Sequence, residues 1–184
     1  MKKILILQGG LNEEHKVSIN TANEVAKVLT KLKIDFIRFT VNPKTFVRDI
    51  SRFSNKHICF NSLHGSFGED GKIQKILKKK GFSFTHSNQN SSINCFNKIK
   101  SKEIIKKYKI LTPSHKLVKI KDIDHQYLEK ISIKFKKFVL KPVSSGSSYG
   151  LKVIKSKKDL SFFCKAIPKF KKNFDYNEDF LIEK

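Results

Sequence analysis

Three stretches of the sequence combine backbone freedom with side chains that can hold or move charge. In the first, Gly9 and Gly10 precede Asn12, Glu13, Glu14, His15 and Ser18. Glycines let backbone N–H groups approach a ligand, and a helix starting there offers its positive end to an anion. A carboxylate at that point either complements the helix dipole or holds a substrate ammonium. The spacing is neither the dinucleotide G-x-G-x-x-G pattern nor a P-loop with its Lys-Ser/Thr ending. In the second stretch, His64 is followed by Gly65, Gly68, Glu69, Asp70 and Gly71. That density of special backbone needs suits a functional loop, set against a plain turn whose Asp70 caps the next helix. In the third, an apolar run ends in Lys141-Pro142 and a Gly/Ser loop continues to Gly150. Lysine supplies a point charge for phosphate and the loop supplies neutral donors, although such loops also serve as flexible linkers.

The elements around these stretches alternate. Lys3 to Leu7 reads as a buried parallel strand entering a glycine turn. Ala22, Val25, Ala26, Leu29 and Leu32 recur at helical spacing. Strands are expected over Ile34 to Val41 and His57 to Leu63, then a short helix around Ile73, Ile76 and Leu77 and a short strand at Phe82 to Thr85. This alternation predicts an open parallel α/β sheet with ligand loops at strand ends. The polar stretch Ser87 to Asn94 is the expected boundary, dividing a domain of residues 1–94 from one of 95–184. Beyond it come a lysine-rich helix (Phe96 to Tyr108), an extended segment from Thr112 to Ile120, and strands at Phe138 to Lys141 and Leu151 to Ile154. A helix over Asp159 to Ala166 and a last strand at Phe180 to Glu183 follow, and that strand is expected to leave an unfinished sheet.

Composition narrows the function classes. The chain has 184 residues, 39% of them hydrophobic, enough for a buried core. No stretch approaches the roughly 20 apolar residues of a membrane span. The opening run from Met1 to Leu7 is too short for a signal peptide and lacks a cleavage site, which predicts a cytoplasmic protein. Cys59, Cys95 and Cys164 are scattered, each beside a phenylalanine, and read as reduced packing residues with no metal role. The net charge of +23 comes from lysines spread along the whole length, without an arginine-rich arm or a nucleic-acid motif. It supports non-specific attraction to anions and no specific nucleic-acid partner.

All of these segments occur together and in order. Gly9-Gly10 with Glu14-His15 and Val17-Ser18, then Leu63-His64-Gly65 with Gly68-Glu69-Asp70-Gly71 and Ile73-Gln74, resemble the two signature regions of D-alanine–D-alanine ligases. Asn97-Lys98 with Ser101-Lys102, Thr112-Pro113, Lys141-Pro142 with Gly146-Ser147-Ser148 and Gly150, and Leu181-Ile182-Glu183-Lys184 continue the resemblance to the end of the chain.

The resemblance implies the ATP-grasp fold, with an open parallel α/β N-terminal domain followed by a partial central domain, the C-terminal ATP-grasp domain being absent. It implies that the γ-phosphoryl of ATP passes to one D-alanine, and that the amine of a second D-alanine attacks the resulting acyl phosphate, for peptidoglycan synthesis. By position, Glu14 would hold the first ammonium with Ser147 nearby, and His64 would orient the reacting carboxylate. Lys98 and Lys141 would contact ATP phosphates, Ser148 and Gly150 would belong to the covering loop, and Glu183 and Lys184 would meet the adenine edge. Magnesium is implied as well, with its ligands expected in the missing domain, together with a transition-state arginine. The 184 residues are therefore expected to be truncated and inactive alone, and a homodimer without a membrane partner is expected. Asn97 stands where many relatives have aspartate, and Ser145 where the loop is often acidic. Ligases making D-Ala–D-lactate or D-Ala–D-serine, another ATP-grasp ligase, a nonfunctional remnant and a basic nucleic-acid-binding module are the alternatives.

Overall fold

The computed structural model describes residues 3–184, so the first two residues of the opening run lie outside the described residues. The chain divides into two compact units, Met1–Phe96 and Asn97–Lys184.

In the first unit β1 (Ile4–Gly9), β2 (Phe36–Val41), β3 (Ile58–Asn61) and β4 (Ser83–Phe84) form one parallel sheet in the order β2-β1-β3-β4. Parallel strands need crossovers, which α1 (His15–Lys31), the short α2 (Phe46–Asp49) and α3 (Lys72–Lys79) help to supply. Leu5, Ile6 and Leu7 are all fully buried, as expected of a strand covered on both faces. Ala22 of α1 is fully buried too, while Leu5, Leu7, Phe46, Ile50, Ile73 and Leu77 join in one apolar cluster.

The second unit holds an antiparallel sheet of β5 (His115–Lys119), β6 (Phe138–Pro142), β7 (Lys152–Ile154) and β8 (Asp179–Glu183), in the order β5-β8-β6-β7. The last strand, β8, sits inside the sheet, bonded to β5 on one side and β6 on the other. The lysine-rich helix α5 spans Lys98–Lys107.

Three departures have physical causes. The polar stretch around Ser87 is largely a helix, α4 (Gln89–Phe96), whose only buried residue is Ser92, so it carries no apolar period to read. The sequence reading also left α6 (His125–Phe135) unassigned. Asp124 caps it, accepting from the Tyr127 N–H at 2.7 Å, and Leu128, Ile131 and Phe135 are its buried stripe. The expected helix ending at Ala166 becomes α7 (Lys157–Lys171) and runs through Pro168. Leu160, Phe163, Ile167 and Phe170 form one buried stripe across that proline, so packing outweighs the lost hydrogen bond. Fully burying each such side chain is worth about 1.5–3 kcal/mol.

Candidate functional site

Strand ends place the expected residues in two separate groups, one in each unit. In the first unit β1 ends at Gly9, which has φ +92° and donates its N–H to Ser18 Oγ at 2.8 Å. The Gly10 carbonyl is met by His15 Nδ1 at 2.7 Å, so the turn is fastened to the first turn of α1. Glu14 precedes α1 without capping it through its side chain and is only 4% exposed. Its N–H donates to Asn12 Oδ1 at 3.1 Å. Asn12 also donates to the His64 and Ser66 carbonyls at 2.8 and 3.1 Å, tying this turn to the glycine loop after β3.

That loop is shaped by close approach. Gly65 has φ +69°, and a Cβ there would run into the Glu14 carboxylate, so the glycine is what lets Glu14 lie against the loop. Gly65 donates its N–H to Glu69 Oε2 at 2.9 Å. The His64 ring has Nε2 2.9 Å from Thr21 Oγ1 and Nδ1 4.0 Å from Glu69 Oε1, an arrangement that fixes its orientation. Asp70 accepts from Lys72 N–H at 3.0 Å, close to the capping role considered for it. Glu14 and His64 thus belong to one fastened pair of loops. Asn12 and Thr21, which hold that pair, received no role from the sequence, and neither carries a motif signal of its own.

In the second unit the charges converge on one carboxylate. Glu183 on β8 is 9% exposed, and its Oε1 lies 2.7 Å from Lys102 Nζ. Its other oxygen is ion-paired with Lys141 of β6. Burial pushes the Glu183 carboxyl upward, but the hydrogen bonds and charges of Lys102 and Lys141 outweigh it and hold the group below its ordinary value. Lys98, at the start of α5, donates from Nζ to the Ser145 carbonyl at 2.8 Å and more weakly to that of Val143. Burial, and then the charge of Lys141, pull the Lys98 ammonium below its ordinary value, with Glu183 opposing them. Two ammonium groups therefore share one buried carboxylate, and Lys98, bonded to loop carbonyls, adds a third positive charge to the cluster, an excess suited to a polyanion. Lys102, only 8% exposed and also bonded to the Pro113 carbonyl, is the member the sequence quoted without assigning a role.

The Gly/Ser loop between β6 and β7 takes left-handed backbone at Ser147 (φ 45°), Ser148 (φ 59°) and Gly150 (φ 69°). Turn bonds run from Tyr149 N–H to the Gly146 carbonyl and from Leu151 N–H to the Ser148 carbonyl. A Cβ at Gly150 would meet Phe174 at 2.6 Å and Pro142 at 2.9 Å. Turns of this kind can present backbone N–H groups to phosphate oxygens. Lys184 donates its N–H to the Ser114 carbonyl, and its side chain stands in solvent. Among the described residues no group of three or more His, Cys, Asp or Glu gathers in one place. Of the cysteines, Cys59 is buried, its thiol pushed up to about 12 by desolvation, and Cys164 is half-buried. Cys95 is exposed, so the packing role expected of it fails.

An open parallel α/β unit, followed by an antiparallel unit whose lysines face a serine-rich loop, defines part of an ATP-grasp ligase. No family model matches the chain. A D-alanine–D-alanine ligase from Bacillus anthracis is 32% identical over 183 residues, covering 99% of this chain and 57% of the relative. One from Pelagibacter ubique is 41% identical over 152 residues, covering 80% and 48%. The crystal structure of the Bacillus anthracis ligase complexed with ATP superposes with a TM-score of 0.75 at 28% identity, over 100% of this chain and 58% of that one. On sequence and fold alike, the chain resembles the N-terminal and central parts of D-alanine–D-alanine ligases. It spans about half the length of the relatives it matches.

Proposed function

We propose that this chain serves the ATP-dependent joining of two D-alanines into D-alanyl-D-alanine for peptidoglycan synthesis, in the cytoplasm. The observation that carries the reading is the cluster of Lys98, Lys102 and Lys141 around Glu183, beside a loop of left-handed residues. ATP would supply the phosphoryl group that activates a carboxylate. Lys98 and Lys141 would neutralise its phosphates, and the backbone from Ser147 through Ser148 to Gly150 would close against them. Glu183 keeps unused lone pairs for the adenine edge beside Lys184. Glu14 would hold the ammonium of the first D-alanine, Ser147 would support it, and His64, oriented by Thr21, would position the carboxylate. Magnesium ligands are expected outside the span of these 184 residues, so assayed alone they should give no D-alanine-dependent phosphate release. Homodimer formation belongs to the same proposal and rests on the resemblance.

Thermal unfolding with added ligands tests it. ATP should raise the midpoint, by an amount equivalent to about 2.7 kcal/mol at a hundredfold excess over its Kd. That protection should vanish in Lys141→Ala and fall in Lys98→Ala. D-Alanine should protect, L-alanine should not, and Glu14→Gln should abolish the D-alanine effect. Equal protection by both enantiomers would sink the substrate assignment, and ATP protection surviving Lys141→Ala would sink the phosphate site. Protection by D-lactate or D-serine instead would favour the related ligases.

A further inference from the structure

Lys98 and Lys102 stand one turn apart on α5 and share a face of that helix. Their tips go to different places. Lys98 Nζ meets the Ser145 carbonyl of the loop after β6. Lys102 Nζ lies 2.7 Å from Glu183 Oε1 and donates to the Pro113 carbonyl at 3.2 Å. Lys184, next along from Glu183, donates its N–H to the Ser114 carbonyl at 3.0 Å. One buried ammonium thus fastens α5, the Pro113-Ser114 segment and the end of β8 together, at the carboxylate assigned to the adenine edge.

The two lysines on Glu183 are not equivalent. Side-chain exposure is 9% for Lys102 and 22% for Lys141, so Lys141 is the one placed to turn outward to a phosphate. A buried carboxylate that loses its last counter-ion takes up a proton rather than stay charged. Glu183 faces two further groups: Lys98 on α5, and the exposed His115 opposite it on β5. Lys98 is itself assigned to phosphate and His115 stands in solvent. Lys102 is therefore the counter-ion left to Glu183 once ATP has drawn Lys141 away.

That counter-ion decides which base fits. An ionised carboxylate only accepts hydrogen bonds, which suits the 6-amino donor of adenine and opposes the 6-oxo acceptor of hypoxanthine. A protonated carboxyl carries an O–H donor and accommodates the oxo group. We propose that Lys102 is a positioning residue for base selection: it stays on Glu183 when Lys141 turns to phosphate, and so keeps that carboxylate aimed and charged toward the adenine amino group. The inference deepens the ATP reading above and rests on it.

Isothermal titration of the 184-residue chain with ATP and with inosine triphosphate, whose base carries the 6-oxo group, tests it. The unaltered chain should bind ATP at least about tenfold more tightly, because a charged acceptor facing the wrong group loses its hydrogen bond. Lys102→Met, which keeps length and packing without the charge, should cut that ratio to about twofold or less, and Lys102→Arg should keep it. The ratio should also collapse in Glu183→Gln, and adding Lys102→Met to that variant should move it no further, because Lys102 acts through Glu183. A merely structural lysine would weaken both nucleotides alike. An unchanged ratio in Lys102→Met therefore overturns the proposal and leaves the adenine reading standing. Absence of binding, or of any preference in the unaltered chain, overturns the adenine reading itself, and the proposal falls with it. Should Lys102→Met fail to fold, Lys102→Gln, which hydrogen-bonds without a charge, carries the same expectation.

Discussion

Glu183 is the residue on which most of the second unit's electrostatics turns. Its carboxyl is depressed from 4.5 in the folded chain because two lysine ammonium groups outweigh its burial. A carboxyl lowered on folding contributes stability that is present above its unfolded value and is lost as pH falls through the folded value. Unfolding midpoints measured in urea should therefore hold steady near neutrality and drop below about pH 4.5. In Glu183→Gln the acid-side loss should shrink. The same variant leaves buried Lys102 and half-buried Lys141 without their counter-ion, which should destabilise the chain by about 3 kcal/mol at pH 7. An unchanged pH profile in the variant would show that other carboxyls govern acid unfolding. None of this was legible from the residue itself, because Glu183 looked like an adenine contact and its partners are remote in sequence.

At the scale of elements, α5 is fastened at its first turn. Asn97 caps it by accepting from the Ile99 and Lys100 N–H groups, both at 3.0 Å. The next residue, Lys98, donates its own N–H to the Val143 carbonyl, so the cap and the loop after β6 are fastened side by side. Replacing Asn97 by alanine should lower stability by about 1 kcal/mol, while Asn97→Asp should retain the cap. If Lys98 meets phosphate from this anchored position, the alanine variant should also lose part of its ATP protection, and the aspartate variant should keep it. Equal ATP shifts in the two variants would separate the helix cap from the ligand site. The Asn97-Lys98 pair was visible in the sequence as a cap followed by a charge; the loop it fastens was not.

For the molecule as a whole, the excess of lysine sets how it meets polyanions. With a net charge of +23 and no arm or groove motif to focus it, association with duplex DNA should be non-specific. Two unrelated duplexes should bind alike, and the binding measured by anisotropy should fall by orders of magnitude between about 50 and 200 mM salt. A complex that distinguished the duplexes at the higher salt would contradict this and restore the nucleic-acid alternative. Among the described residues no helix is long and apolar enough to cross a membrane.

The sequence by itself determined the order of the strands and the position of the loops that follow them. Alternating apolar runs with glycine punctuation gave β1 through β4 and the turn after each, because strand and helix periods are local properties of the chain. It missed α4, which has almost nothing to bury, and α6, whose stripe of Leu128, Ile131 and Phe135 was present but surrounded by lysines. Only tertiary structure decided how the charges meet. The antiparallel pairing of β6 with β8 sets Val139 opposite Glu183, which puts Lys141, two residues on, on the same face and on the diagonal. A shift of one residue would turn Lys141 to the other face, so the ion pair exists because of strand register, which no local pattern in either strand encodes.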